Sequence, residues 1–284
     1  MKEKTKNWLM LSPVLIIIVG LFGGGFIYGL VQSLNYIPII GQYEVNLDAY
    51  KAILQDKEFL SSLGFTFWIA LGSTFFSIVV AIILSMGLRK RFKRKGAVLF
   101  AYQFPLPIPH IVSGIAILFL FGQSGFIARI LALLGIIESS SQFPEMIFDS
   151  HGIGIILALM WKFVPFVGVA LVGILQTTGT AYEEAAISLG ANSWNRFRYV
   201  LLPMMLPSIS TSSILIFAYA FGSYEIPFLL GSTYPKALSI VAYQKFTNID
   251  LAYRSQAMAM STIIAVIVLF IVIVYRRLSS KVRY

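Results

Sequence analysis

Residues 153–175 read Ile-Gly-Ile-Ile-Leu-Ala-Leu-Met-Trp-Lys-Phe-Val-Pro-Phe-Val-Gly-Val-Ala-Leu-Val-Gly-Ile-Leu, with Lys162 the single charge. At about 1.5 Å per residue, a helix of this length crosses a hydrocarbon core about 30 Å thick. Backbone groups in lipid have no water to bond, so the run must satisfy them internally as a helix. Five more runs share this character, and the expected spans are 8–34, 63–88, 98–121, 153–175, 208–231 and 258–275. Alternating strands of about 10 residues, the mark of a membrane barrel, are absent. Composition agrees: 58% of the 284 residues are hydrophobic and only 12% charged. The mean hydropathy is +0.82. Soluble domains carry about 25% charged residues. A disordered chain and an ordinary soluble enzyme are thereby excluded. The expected class is all-α integral membrane, with residues 1–284 forming one transmembrane domain in contact with lipid. No internal repeat, low-complexity linker or soluble domain is evident.

The net charge of +10 follows the membrane pattern rather than that of a nucleic-acid binder. Lys2, Lys4 and Lys6 precede the first span; Arg89, Lys90, Arg91, Lys93, Arg94 and Lys95 separate the second from the third; Arg276, Arg277, Lys281 and Arg283 follow the last. Six spans put all three clusters on one side. The positive-inside rule makes that side the cytoplasm, with both termini there. The fifth connection, with Lys236, Lys245 and Arg254 against Asp250, fits the rule least well. The first 29 residues imitate a signal peptide, but the first alanine is Ala49, so an uncleaved first helix is expected. There is no cysteine, which excludes disulfides and thiolate chemistry.

The connection between spans four and five, about 177–207, is the most informative. Thr180 and Glu183 have capping-box spacing, which predicts a short helix from about Ala181. Gly190 would end it in a left-handed turn, and Asn192 or Ser193 would cap a second helix carrying Trp194, Phe197, Val200 and Leu201 at helical spacing. Pro203 and Pro207 predict a bend into span five.

The order Glu184-Ala185-Ala186, three residues, Gly190, nine residues, Val200, one residue, Leu202-Pro203 resembles the signature of permease subunits of binding-protein-dependent ABC importers. It departs only in having valine where isoleucine is usual. The resemblance covers span two to the C-terminus and implies a MetI-like fold with six transmembrane helices. It makes this connection a coupling-helix loop, with Glu183, Glu184, Ala185, Ala186, Gly190, Val200, Leu202 and Pro203 engaging the cytoplasmic ATPase. It implies two ATPase subunits that hold ATP and Mg, a second permease subunit (a different chain, giving a heterodimer) and an extracytoplasmic substrate-binding protein. Alternating access in a bacterial cytoplasmic membrane would follow. This chain itself is expected to hold no cofactor or metal and to be no enzyme. No lysine follows a glycine, so it lacks a nucleotide-binding loop. Tyr234–Leu238 and Tyr243–Tyr253 resemble the spermidine/putrescine-type and related branches, so a polyamine-like solute is favoured. Thiamine, phosphonate, sulfate and iron complexes stay open.

Two charges fall inside spans, Lys162 and Glu225, at similar depth in the outer half. Charges there are costly and face a partner or water. They could pair, snorkel or line the pathway. Span three contains Pro105, Pro107, Pro109 and His110, so its backbone needs other groups to satisfy it. His110, Lys162, Ser223, Tyr224 and Glu225 are the candidate pathway residues, with a packed neutral histidine as the competing reading of His110. Gly23–Gly25 could pack closely or kink. An ion-gradient-driven secondary transporter or channel is the alternative function, and it predicts inverted repeats or an acidic relay that the sequence lacks. An intramembrane enzyme would need a nucleophile–base pair or a metal cluster. The two histidines, His110 and His151, are far apart.

Overall fold

The computed structural model describes residues 3–92 and 96–280. Lys2, Lys93, Arg94, Lys95, Lys281 and Arg283 lie outside the described residues, as do the side chains of Lys4, Lys6, Arg89, Lys90, Arg91, Thr180 and Arg276. The helices are α1 (Glu3–Ile17), α2 (Gly24–Ser33), α3 (Asp48–Gln55), α4 (Lys57–Phe92), α5 (Gly96–Gln103), α6 (His110–Phe121), α7 (Phe126–Leu133), α8 (Ile153–Ile174), α9 (Thr180–Ser188), α10 (Ser193–Arg196), α11 (Leu202–Gly222), α12 (Glu225–Leu230), α13 (Leu238–Phe246) and α14 (Tyr253–Ser280). Among the described residues there is no strand, only an isolated bridge between Ile37 and Gln42. Among the described residues, six stretches are long and apolar enough to cross a membrane: Asn7–Ser33, Lys57–Leu88, His110–Leu133, Ile153–Thr177, Ser193–Gly222 and Tyr253–Tyr275.

The chain divides into two compact units, Met1–Leu60 with Leu238–Ile267, and Ser61–Ala237 with Val268–Tyr284. In the first unit, α1 and α2 are joined through a π-helical turn, Ile18–Gly23. A Cβ built on Gly24 or Gly25 meets nothing within 4 Å among the described residues, so no close packing is seen there. The loop after α2 is tied by its own polar groups. Asn35 Nδ2 donates to Asn46 Oδ1 at 2.5 Å, Ser33 and Tyr50 share a hydroxyl hydrogen bond of 2.7 Å, and Lys245 reaches Asp56 at 3.4 Å and Gln256 at 2.9 Å.

The second unit is built around α8. Two thirds (67%) of its most apolar window is buried, against a third or less for each other span. Its start is fixed by Asp149, whose carboxylate accepts from the backbone N–H of Ile153 at 2.9 Å and of His151 at 3.0 Å, satisfying donors that a helix N-terminus leaves open. Helices α6, α11 and α12 pack on α8, and α12 also packs on α6. Gly168 lets Tyr102 of α5 approach the α8 backbone: a Cβ there would lie 1.7 Å from the Tyr102 hydroxyl oxygen, which donates to the Val164 carbonyl at 3.0 Å.

Three expected boundaries differ. The run 98–121 is not one helix. It breaks between α5 and α6 across 104–109, because Pro105, Pro107 and Pro109 remove three helical donors. Its membrane-length stretch is instead His110–Leu133, with a turn at 122–125 leading into α7. The run 208–231 ends at Gly222, where extended Ser223 (ψ 132°) separates α11 from α12. Third, the short helix expected from about Ala181 is present as α9, from Thr180, but it is not separate from span four. Residues 153–188 are helical throughout, α8 passing into α9 by a π-helical turn, Leu175–Gly179. Gly179 is itself helical (φ −62°, ψ −30°), so the backbone enters α9 without leaving the helical region. Likewise 193–222 is helical throughout. A π-helical turn, Phe197–Leu201, lies just before Leu202 and Pro203, and the helical backbone runs on through Pro203 and Pro207.

Candidate functional site

Two sites lie in the second unit. The first is the tip where the helices 153–188 and 193–222 meet. Only four residues, 189–192, join them. Gly190 has φ +81°, a left-handed conformation that an L side chain resists, and it turns the chain at the end of α9. Asn192 is extended and its side chain accepts from the Asn195 N–H at 2.8 Å, capping α10 as expected. Glu183 lies 3.9 Å from Arg196 Nε across the turn, and Arg196 also donates to Ser193 Oγ at 3.0 Å. Glu184 and Ala185 are exposed, while Ala186 is buried. Leu189 is 88% exposed, and Tyr182, Ile187, Trp194 and Tyr199 are exposed beside it. Val200 and Leu202 are half-buried and Pro203 is exposed. The signature residues thus divide. Glu183 is engaged within the tip, whereas Glu184, Ala185 and Gly190 face outward with a rim of large apolar side chains.

The second site surrounds Lys162. Its ammonium donates to the carbonyls of Pro105 at 2.7 Å, of Leu106 at 3.0 Å and of Ile108. These carbonyls belong to the proline-broken segment. Pro105 would be served in a helix by the N–H of residue 109, which is a proline and has none. Of the readings left open for the two charges, pairing is not what Lys162 shows: it is 5% exposed and held in a carbonyl cradle, while Glu225, the first residue of α12, is exposed. His110 stacks on Tyr219 (centroids 4.4 Å, 26°), and Phe163 meets Tyr219 edge-on at 5.9 Å.

A cavity of about 250 Å³ is lined by Leu106, His110, Lys162, Phe163, Leu215 and Tyr219, with Phe166 and Ile216. Of the expected pathway residues it takes in His110 and Lys162. Ser223 is buried just beyond α11, and Tyr224 stacks on Phe228 at 5.3 Å; neither lines this cavity. Tyr219, Phe163 and Phe166 were not singled out from sequence. Their i, i+3 and i, i+4 relations to Leu215 and each other were visible, but aromatic residues in an apolar span give no contrast.

Residues 75–284 match the family described as "Binding-protein-dependent transport system inner membrane component". The chain is 31% identical over 236 residues to the probable sulfate transport system permease protein cysT of Marchantia polymorpha, covering 81% of this chain and 76% of that protein. It is 27% identical over 280 residues to the inner membrane ABC transporter permease protein YcjO of Escherichia coli (strain K12), covering 95% and 92%. A crystal structure of a bacterial ABC transporter involved in the import of the acidic polysaccharide alginate superposes with a TM-score of 0.81 at 18% identity, covering 100% of this chain and 99% of that one. The fold is thus shared across low identity, and the family match covers the α8–α11 hairpin and the cavity alike. The chain belongs to the inner membrane components of binding-protein-dependent transport systems, and is a multi-pass permease subunit of an ABC importer.

Proposed function

We propose that this chain forms half of an ATP-driven translocation pathway for a small solute delivered by an extracytoplasmic binding protein. A second permease subunit, a different chain, completes the pathway. Two ATPase subunits, which hold ATP and Mg, engage the tips around Glu184–Gly190. The observation that supports this most is the tip itself: a turn closed by its own ion pair that presents Glu184, Ala185 and a rim of apolar side chains outward. A small, rigid, partly apolar knob at the end of two long helices suits a groove on a partner and carries motion into the membrane. Two expected crossings separate residues 89–95 from the tip, which supports a tip on the basic, cytoplasmic side together with both termini.

The solute is selected chiefly by the binding protein. The sulfate and alginate systems among the relatives give no support to the polyamine preference expected from residues 234–253. The aromatic walls of the cavity, His110, Tyr219, Phe163 and Phe166, suit passage of a partly desolvated solute. Tagged chain purified in mild detergent from its native membrane should bring down an ATPase bearing a nucleotide-binding loop, and Glu184→Lys should abolish that capture. Purification of the chain alone, with uptake that needs no ATP, would remove the reading.

A further inference from the structure

Among the described residues, Lys162 is the one buried charged side chain within the six membrane-length stretches, at 5% exposed. An ammonium group has three N–H donors and no acceptor. Three backbone carbonyls, of Pro105, Leu106 and Ile108, take all three. No donor remains for a solute. Each carbonyl precedes the start of α6, where Pro109 is extended (φ −56°, ψ 146°) and the first helical bond runs from Ser113 to the Pro109 carbonyl at 3.1 Å. Without a donor from outside, these carbonyls would be orphaned in an apolar surrounding. His110 begins α6 directly after this segment, and its ring meets Tyr219 in the cavity that Lys162 also lines.

We propose that Lys162 is a positioning residue of the pathway, and that the carbonyls of Pro105, Leu106 and Ile108 form a primary-ammonium site that the chain fills with its own side chain. The tie fixes the proline-broken segment to α8 and so sets where His110 meets Tyr219. The ammonium is a better fit than a guanidinium, because three carbonyls converging on one point match a compact tetrahedral cation and not a planar fork. The effect on transport rests on the pathway reading above; the ammonium site itself does not.

The test uses the complete transporter, purified and in proteoliposomes. Lys162→Ala leaves a gap the shape of n-propylammonium. The variant is expected to lower uptake by about tenfold, since several charge-assisted hydrogen bonds are lost together. It is also expected to lower the thermal unfolding midpoint. Added n-propylammonium should raise both toward wild type, while tetramethylammonium, which has no N–H, and n-propanol, which has no charge, should not. Half-saturation by the binding protein should stay unchanged.

A second pair covers a variant that fails to accumulate. Pro109→Ala returns an N–H that can serve the Pro105 carbonyl. Lys162→Met with Pro109→Ala should then accumulate in the membrane above Lys162→Met alone. Rescue by the amine or by Pro109→Ala supports the proposal. Wild-type uptake and midpoint in Lys162→Ala, a change in solute preference, or the absence of both rescues overturns it. If wild-type uptake proved independent of ATP, the importer reading would fall, while amine dependence of the unfolding midpoint would still decide the ammonium site.

Discussion

Glu183 and Arg196 lie 3.9 Å apart across the turn at Gly190, and both are half-buried. The pair joins the end of one long helix to the start of the next. The neighbouring Glu184 is exposed, and its backbone carbonyl accepts from Ser188 Oγ at 3.1 Å. Two adjacent glutamates thus differ in setting, one approaching Arg196 across the turn and one exposed.

The two glutamates separate by mutation. Glu183→Gln removes a partly buried ion pair worth about 0.5–1 kcal/mol. It should lower the unfolding midpoint slightly and leave ATPase capture within about twofold. The reversed pair, Glu183→Arg with Arg196→Glu, should recover the midpoint. Glu184→Lys should do the opposite, losing capture at an unchanged midpoint. Thermal unfolding and quantitative pull-down on the same preparations read both.

Gly190 tests whether the turn matters for its shape. Its Cβ position is open, with nothing within 4 Å, so a substitution there meets only backbone strain at φ +81°. Gly190→Ala should cost about 1–2 kcal/mol, and Gly190→Asn less, because asparagine tolerates the left-handed region. ATPase stimulation by the binding protein should fall in the same order.

The spans were legible because lipid demands a simple pattern, and Ile153–Leu175 shows it plainly. What hydropathy could not show was where helices break and where they do not. Pro105, Pro107 and Pro109 broke span three because three donors vanish within five residues. Pro203 and Pro207 left α11 continuous. A π-helical turn precedes Pro203, and Thr211 Oγ1 bonds the Pro207 carbonyl at 2.9 Å within the helix. Proline count alone does not separate these cases. The partner of Lys162 was hidden for a related reason: backbone carbonyls freed by a break carry no sequence signature, so an acid, Glu225, was the natural candidate.

Gly168 and Tyr102 form a coupled pair. A Cβ at 168 would sit 1.7 Å from the tyrosine hydroxyl oxygen and 2.7 Å from Cζ. Gly168→Ala should destabilise by about 1–3 kcal/mol through overpacking. Tyr102→Ala alone should also destabilise, but adding Gly168→Ala to it should cost little further. A double-mutant cycle on unfolding midpoints would show this non-additivity.

Tyr219 is the aromatic hub of the cavity, touching His110 and Phe163. Tyr219→Leu keeps an apolar residue but removes two ring contacts, each worth about 0.5–1.5 kcal/mol. Uptake should fall severalfold while ATPase capture at the distant tip persists. Equal loss of both would mean that the ring serves assembly rather than passage.

The central claim is that this chain moves solute under the control of an ATPase bound at its tip. The most direct measurement is uptake into proteoliposomes containing the complete transporter, with binding protein outside, in the presence and absence of ATP inside. Uptake should require both ATP and binding protein and should be lost with Glu184→Lys, although that variant remains folded. Uptake that follows an ion gradient without ATP, or that is indifferent to Glu184→Lys, would contradict it.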